Sequence, residues 1–263
     1  MSPANSLNID ELIEAAKTVN VEPGFVQRLI PLLDLTNLNE NATPDDITQL
    51  CRDGNTLLGK VAAVCIYPQF IKPAKEVLHG GPIKIATVAN FPAGSADINA
   101  TVATINQAIE DGAQEIDVVM PYAAYLAGDQ TVISSFTRTC KETCGKNILL
   151  KVILETGALP SFELIKMASI AVLDAGADFI KTSTGKISVG ATLAATAAML
   201  LAIKEANGQA GFKAAGGIRT AQQAASYLFL IEQILGNQYL TADKTRIGAS
   251  SLLKELLAPP KIA

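Results

Sequence analysis

The chain has 263 residues, of which 49% are apolar and 17% charged, a composition that excludes intrinsic disorder and suffices for a large buried core. With 21 Lys and Arg against 25 Asp and Glu, the net charge is −4. A mildly acidic chain is a poor fit to a nucleic-acid backbone, so nucleic acid is not an expected partner.

The predicted elements begin with Met1-Ser2-Pro3-Ala4-Asn5-Ser6-Leu7, which lacks the basic start and apolar stretch of a secretory signal. A helix follows at Ile9–Lys17, within an N-terminal helical extension over residues 1–28. From there, β-rich apolar runs alternate with helical patterns. Strands are expected at Ile30–Leu35, Val61–Tyr67, Ile83–Asn90, Glu115–Pro121, Asn147–Glu155, Phe179–Thr184, Gly211–Ala215 and Arg246–Ala249. Helices are expected near Asp45–Arg52, Pro73–Leu78, Asp97–Asp111, Gln130–Cys144, Ser161–Ala175, Thr192–Ala206, Ala221–Ile234 and Leu252–Leu257. No apolar run reaches the roughly 18 residues of a membrane span; the segment 191–203 carries Thr192 and Thr196 and stops at Lys204. The expected location is therefore the cytoplasm, with no membrane partner.

The runs starting at Ile83, Glu115, Asn147, Phe179 and Gly211 lie 32 residues apart, the length of one strand–loop–helix–loop unit. Asp111-Gly112-Ala113 and Ala175-Gly176-Ala177 end helices alike before buried strands. Runs such as Val61-Ala62-Ala63-Val64-Cys65-Ile66 are apolar at every position, as strands covered on both faces require. Eight such units fit an α/β fold of the (β/α)8 TIM-barrel type, with the barrel over residues 29–258 and a tail at 259–263. An open doubly wound sheet would show a glycine-rich turn after its first strand, but Leu33-Asp34-Leu35-Thr36-Asn37 has no glycine.

Strand parity turns Asp117, Lys181 and Lys213 into the barrel, and Lys151 shares that inward parity. The bland alternative is a stabilising Asp–Lys pair or lysines that snorkel outward. Several charges at matching depth instead point to a site, because a buried charge is costly unless it has a function or a partner. Desolvation and a neighbouring ammonium both disfavour a protonated lysine, so Lys181 beside Lys213 suits Schiff-base formation with a carbonyl, and Asp117 can relay protons.

Gly216-Gly217 follows the seventh strand and Gly248-Ala249-Ser250-Ser251 the eighth. Both precede helices, the arrangement in which barrels often hold phosphate. Lys186 after the sixth strand adds a cation. Asp34 and Thr36, at the end of the first strand, suit either a sugar hydroxyl or the cap of a turn. Tyr122 and Tyr125 are assigned to packing. The four cysteines, Cys51, Cys65, Cys140 and Cys144, read as reduced thiols, with Cys140 and Cys144 on one helix face. The one histidine, His79, offers little to a metal, and neither metal nor cofactor is expected.

Phe179-Ile180-Lys181-Thr182-Ser183-Thr184-Gly185-Lys186 resembles the Schiff-base strand of the deoxyribose-phosphate aldolase family. Glu115-Ile116-Asp117-Val118-Val119, Leu150-Lys151-Val152-Ile153-Leu154-Glu155-Thr156-Gly157, Gly211-Phe212-Lys213-Ala214-Ala215-Gly216-Gly217-Ile218-Arg219-Thr220, Cys65-Ile66-Tyr67-Pro68 and Gly248-Ala249-Ser250-Ser251 resemble its other signatures. The resemblance runs from about Leu32 to Leu253. It implies a class I aldolase that reversibly cleaves 2-deoxy-D-ribose 5-phosphate to D-glyceraldehyde 3-phosphate and acetaldehyde, without metal, in deoxyribose catabolism. It assigns the Schiff base to Lys181, proton transfer to Asp117 and Lys213, and phosphate binding to Gly216, Gly217, Gly248, Ser250 and Ser251. Lys186, Asp34, Thr36 and Lys151 complete the expected substrate-binding set. Two departures stand out: Ala214 where some members carry Pro, and a C-terminus, Ala258-Pro259-Pro260-Lys261-Ile262-Ala263, without the tyrosine some members have there. The expected partners are a small sugar phosphate and further copies of the chain, as a homodimer or homotetramer. A transaldolase, a sugar-phosphate isomerase and a non-catalytic sugar-phosphate sensor are the competing readings.

Overall fold

The computed structural model describes residues 8–206 and 208–258. The first seven residues of the expected extension and the expected tail at 259–263 lie outside the described residues. Eight parallel strands close into a barrel: β1 (Leu33–Asn37), β2 (Ala63–Ile66), β3 (Lys84–Ala89), β4 (Glu115–Val119), β5 (Leu149–Ile153), β6 (Phe179–Lys181), β7 (Gly211–Ala214) and β8 (Thr245–Ala249). Each pairs with its neighbours in sequence, and Leu33 of β1 lies opposite Ile247 of β8 to complete the ring.

The helices are α1 (Ile9–Lys17), α2 (Phe25–Leu29), α3 (Pro44–Asp53), α4 (Ile71–Leu78), α5 (Ile98–Asp111), α6 (Tyr122–Leu126), α7 (Val132–Cys144), α8 (Phe162–Asp174), α9 (Leu193–Glu205), α10 (Ala221–Leu235) and α11 (Leu252–Leu256). Their starts are chemically marked. Asp97, Ser161 and Thr192 each accept a hydrogen bond from the backbone N–H three residues on, which satisfies a donor the helix itself cannot. The α5 stop is equally local: Gly112 takes a positive φ of 113° and the Ala113 N–H turns back to the Ala108 carbonyl, a geometry that favours glycine. In α1, Ile9, Leu12, Ile13 and Ala16 share one face, and the helix lies against α9 and α10 outside the barrel.

Three local expectations are corrected. The first strand starts at Leu33 rather than Ile30, because Ile30–Leu32 is a 3-10 turn containing Pro31, which has no N–H for a strand ladder. An unexpected hairpin, Asn55–Thr56 with Gly59–Lys60, precedes β2. The helix expected from Gln130 begins at Val132, after the separate short helix α6. Tyr125 is buried in the core. All four cysteines are free and buried, and burial pushes the Cys140 and Cys144 thiols up to about 12.

Candidate active site in the barrel mouth

Register brings the expected charges together. Asp117 on β4 lies opposite Lys151 on β5, and Lys181 on β6 opposite Lys213 on β7. All four are buried in the barrel interior. Lys181 Nζ sits 2.8 Å from Asp117 Oδ2, and Lys213 Nζ reaches the same oxygen at 2.7 Å. Lys151 Nζ takes the other oxygen, Oδ1, at 2.8 Å. Asp117 thus stands between three ammonium groups.

The network continues below. Lys213 Nζ lies 2.5 Å from Asp34 Oδ2. Lys151 Nζ lies 2.6 Å from Glu115 Oε2 and 3.5 Å from Asp34. Arg246 Nη1 lies 2.7 Å from Asp34 Oδ1, and the same guanidinium grips both oxygens of Glu115 at 2.8 and 2.9 Å. In this cluster the carboxylates are Asp34, Glu115 and Asp117, and the cations are Lys151, Lys181, Lys213 and Arg246: one positive charge more than can be neutralised.

The surplus falls on Lys181, which among the described residues is ion-paired with Asp117 alone; each of the other cations contacts at least two carboxylates. Burial is the strongest influence on Lys181 and lowers its affinity for a proton; Asp117 opposes this and the Lys213 charge adds to it, leaving the amine below the ordinary lysine range. Burial also acts against charged Lys213 and Lys151, but their carboxylates prevail and hold both above that range. Asp117, although burial favours its neutral form, is held well below the usual carboxylate range by Lys151, Lys181 and Lys213. The resting site therefore combines an anionic carboxylate, a persistent ammonium and a lysine that gives up its proton more readily than an ordinary one.

Lys181 and Lys213 form the floor of a cavity of about 240 Å³ at the C-terminal ends of the strands. Thr36, Lys186, Gly216, Gly217, Gly248 and Ser250 line it, as do Arg219, Asn37 and Thr184. Gly216 and Gly217 have φ of 94° and 86°, and a Cβ on Gly216 would approach the Gly190 Cα to 3.0 Å; glycine lets this loop fold close over the mouth. Lys186 Nζ donates to the Leu38 carbonyl at 2.7 Å, fastening the β6 loop to the β1 loop. A larger cavity of about 630 Å³, beside Lys141, Asn147 and Asp178, opens at the opposite end of the barrel. It lies away from the lysine cluster, whereas (β/α)8 enzymes work at the C-terminal face.

The expected set divides. Asp34 and Lys151 are not at the mouth: both are fully buried among the charges beneath Asp117. Ser251 lies at the start of α11, outside the cavity wall. The start of α10 is also not open to an anion as expected. Thr220 accepts from the Gln223 N–H, Gln223 Oε1 accepts from the Arg219 and Thr220 N–H groups, and Glu255 Oε2 accepts from the Ala221 N–H. Sequence reasoning missed Glu115 and Arg246. Glu115 shares the parity of Asp117, and that was the available signal.

Residues 28–256 match the family described as DeoC/LacD family aldolase. The chain belongs to this aldolase family. Among solved structures, it is similar to a Coccidioides immitis protein provisionally named a deoxyribose-phosphate aldolase, at 27% identity over 97% of this chain and 98% of that one, with a TM-score of 0.77. It also shares the fold of a provisionally named deoxyribose-phosphate aldolase from Toxoplasma gondii ME49, at 24% identity over 88% and 92% of the two chains and a TM-score of 0.81. The tetrameric deoxyribose phosphate aldolase of Aeropyrum pernix matches at 24% identity over 94% and 96%, with a TM-score of 0.71. Among the described residues, no group of three or more His, Cys, Asp or Glu side chains could hold a metal ion, and no helix is long and apolar enough to cross a membrane.

Proposed function

We propose that this aldolase cleaves 2-deoxy-D-ribose 5-phosphate reversibly to D-glyceraldehyde 3-phosphate and acetaldehyde, with Lys181 as the Schiff-base lysine. The observation that carries the reading is a buried amine at the floor of an open cavity, below its ordinary proton affinity and sharing one carboxylate oxygen with a second ammonium. A neutral amine is the nucleophilic form. It attacks C1 of the open-chain aldehyde, and loss of water gives an iminium. Removal of the C3 hydroxyl proton breaks the C2–C3 bond, and its electrons pass into the iminium to form an enamine. Glyceraldehyde 3-phosphate leaves; protonation and hydrolysis of the enamine release acetaldehyde and return the amine.

In this scheme anionic Asp117 accepts protons and cationic Lys213 donates them, through water. The substrate phosphate sits at the outer end of the cavity against the Gly216–Gly217 loop and Ser250, with Lys186 and Arg219 supplying charge. Thr36 faces the sugar. A homodimer or homotetramer is proposed on the tetramer named for the Aeropyrum pernix relative, and light scattering tests it. The decisive test of the chemistry is acetaldehyde with borohydride followed by peptide mass mapping. Reduction should leave a two-carbon adduct on Lys181, absent from Lys181→Ala and Lys181→Arg, which should fold and show no turnover. An adduct on Lys213 with Lys181 unmodified would overturn the assignment.

A further inference from the structure

Glu115 and Arg246 are absent from the wall of the cavity. Glu115 opens β4 and Arg246 is the second residue of β8, so both lie toward the N-terminal end of the barrel, beneath the lysines. Each is nevertheless connected to the reactive amine. Arg246 binds Asp34 Oδ1, Asp34 Oδ2 binds Lys213, and Lys213 binds Asp117 Oδ2. Glu115 binds Lys151, and Lys151 binds Asp117 Oδ1. Both routes end on the carboxylate that holds Lys181.

We propose that Arg246 and Glu115 are positioning residues that set the protonation state of Lys181 through the charge balance of the barrel interior. The inference rests on the Schiff-base role proposed above. In a dry interior, charges are poorly screened. A charge removed from the floor is therefore answered at the group that most readily changes its own, and Lys181, held among the described residues by Asp117 alone, is that group. The groups that face it are Asp117 from β4, Lys213 from β7 and the Cys65 thiol from β2, while Lys151 from β5 acts through Asp117. Burial pushes the Cys65 thiol up, so it stays uncharged. Glu155, just beyond β5, is a further buried carboxylate, but it accepts hydrogen bonds from the Thr184 N–H and hydroxyl and joins none of these ion pairs.

The sign of each substitution follows. Glu115→Gln removes a negative charge and leaves the interior more positive, so Lys181 loses its proton at lower pH. Arg246→Met removes a positive charge, so Lys181 keeps its proton to higher pH. The double variant restores the balance, and Arg246→Lys never disturbs it. A merely structural pair would lower stability or turnover without moving the two singles in opposite directions.

The experiment follows the rate of borohydride-trapped acetaldehyde adduct formation on Lys181 against pH, in the full-length wild type and these four variants. The midpoint should fall by about one pH unit in Glu115→Gln and rise by about one in Arg246→Met. It should stay near wild type in the double variant and in Arg246→Lys. Single variants that shift together, or not at all, overturn the proposal, as does a double variant that keeps the Arg246→Met shift. Should Arg246→Met fail to fold, the downward shift of Glu115→Gln and the unmoved midpoint of Arg246→Lys are both still required. A wild type that forms no adduct on Lys181 sinks the Schiff-base reading and this inference together; adduct formation without the opposed shifts sinks this inference alone.

Discussion

Replacing Lys213 with Leu tests the electrostatic account of the nucleophile. Lys213 and Lys181 share Asp117 Oδ2 at 2.7 and 2.8 Å, so the substitution removes a cation directly beside the proposed nucleophile and leaves that oxygen to Lys181. Both effects have the same sign: Lys181 retains its proton to higher pH. A charge at such close range shifts a titration by about 1–3 pH units. Each unit lowers the neutral fraction of the amine about tenfold on the acid side of the titration, so imine formation should slow by about 10- to 1000-fold there. Loss of the donor itself adds of order 10²-fold to the fall in turnover. The assay is retro-aldol turnover and imine trapping against pH, with Lys213→Arg alongside. The arginine keeps the cation and should keep the acid limb in place while losing turnover. If Lys213→Leu shows near-normal turnover with an unchanged pH optimum, the two-lysine reasoning is wrong and Lys213 is a structural charge.

Asp117→Asn should lower turnover by at least about 10²-fold with little effect on the affinity of a phosphate-bearing inhibitor, because the phosphate is placed at the far end of the cavity; comparable losses in both, read by kinetics and calorimetry, would place Asp117 in substrate binding instead. Turnover should survive EDTA, since in the proposed mechanism an iminium serves as the electron sink, and a loss restored by a divalent ion would point to a metal-dependent aldolase. The folded proton affinities of Asp34 and Asp117 are both lowered, despite burial, by their lysine partners and, for Asp34, by Arg246 as well. Their stabilisation is therefore complete above the unfolded carboxylate value of about 4 and is lost as pH falls below it toward the folded values. Urea midpoints should match at pH 7 and 5 and drop at pH 3, and an unchanged midpoint at pH 3 would refute the stabilising role of these pairs.

The barrel was legible because its repeat is periodic. Five strand starts fall 32 residues apart, and parity within those strands aims Asp117, Lys151, Lys181 and Lys213 inward. Errors arose where parity lost its reference. Reading the first strand from Ile30 put Asp34 near its end and suggested a sugar hydroxyl; with the strand starting at Leu33, Asp34 is its second residue and lies between Lys213 and Arg246. Glu115 and Arg246 stood at or near strand starts, where an exposed rim position is the ordinary expectation for a charge. Only the closure of β8 onto β1 and the arrangement of β4 across the interior join them, and that contact spans 131 residues of sequence. The competing caps on α10 were equally hidden, since Glu255 comes from a different helix.

The charged cluster occupies only part of the barrel interior, and the rest explains why its surplus matters. Ala63 and Cys65 of β2, Ala86 and Val88 of β3, and Leu38 after β1 form a separate buried apolar cluster, with Tyr67 and Phe91 packed against it. Cys65 Sγ lies 4.0 Å from Asp117 Oδ2, so this apolar wall directly adjoins the ion network. A wall of this kind offers little to solvate an ammonium, and burial leads the influences on Lys151, Lys181 and Lys213 alike. Desolvation alone, however, would act on every lysine in the interior. It fails to deprotonate Lys151 and Lys213 because each is held by more than one carboxylate. Burial in the barrel interior supplies the general pressure against charge, and the distribution of three carboxylates among four cations decides which amine yields to it.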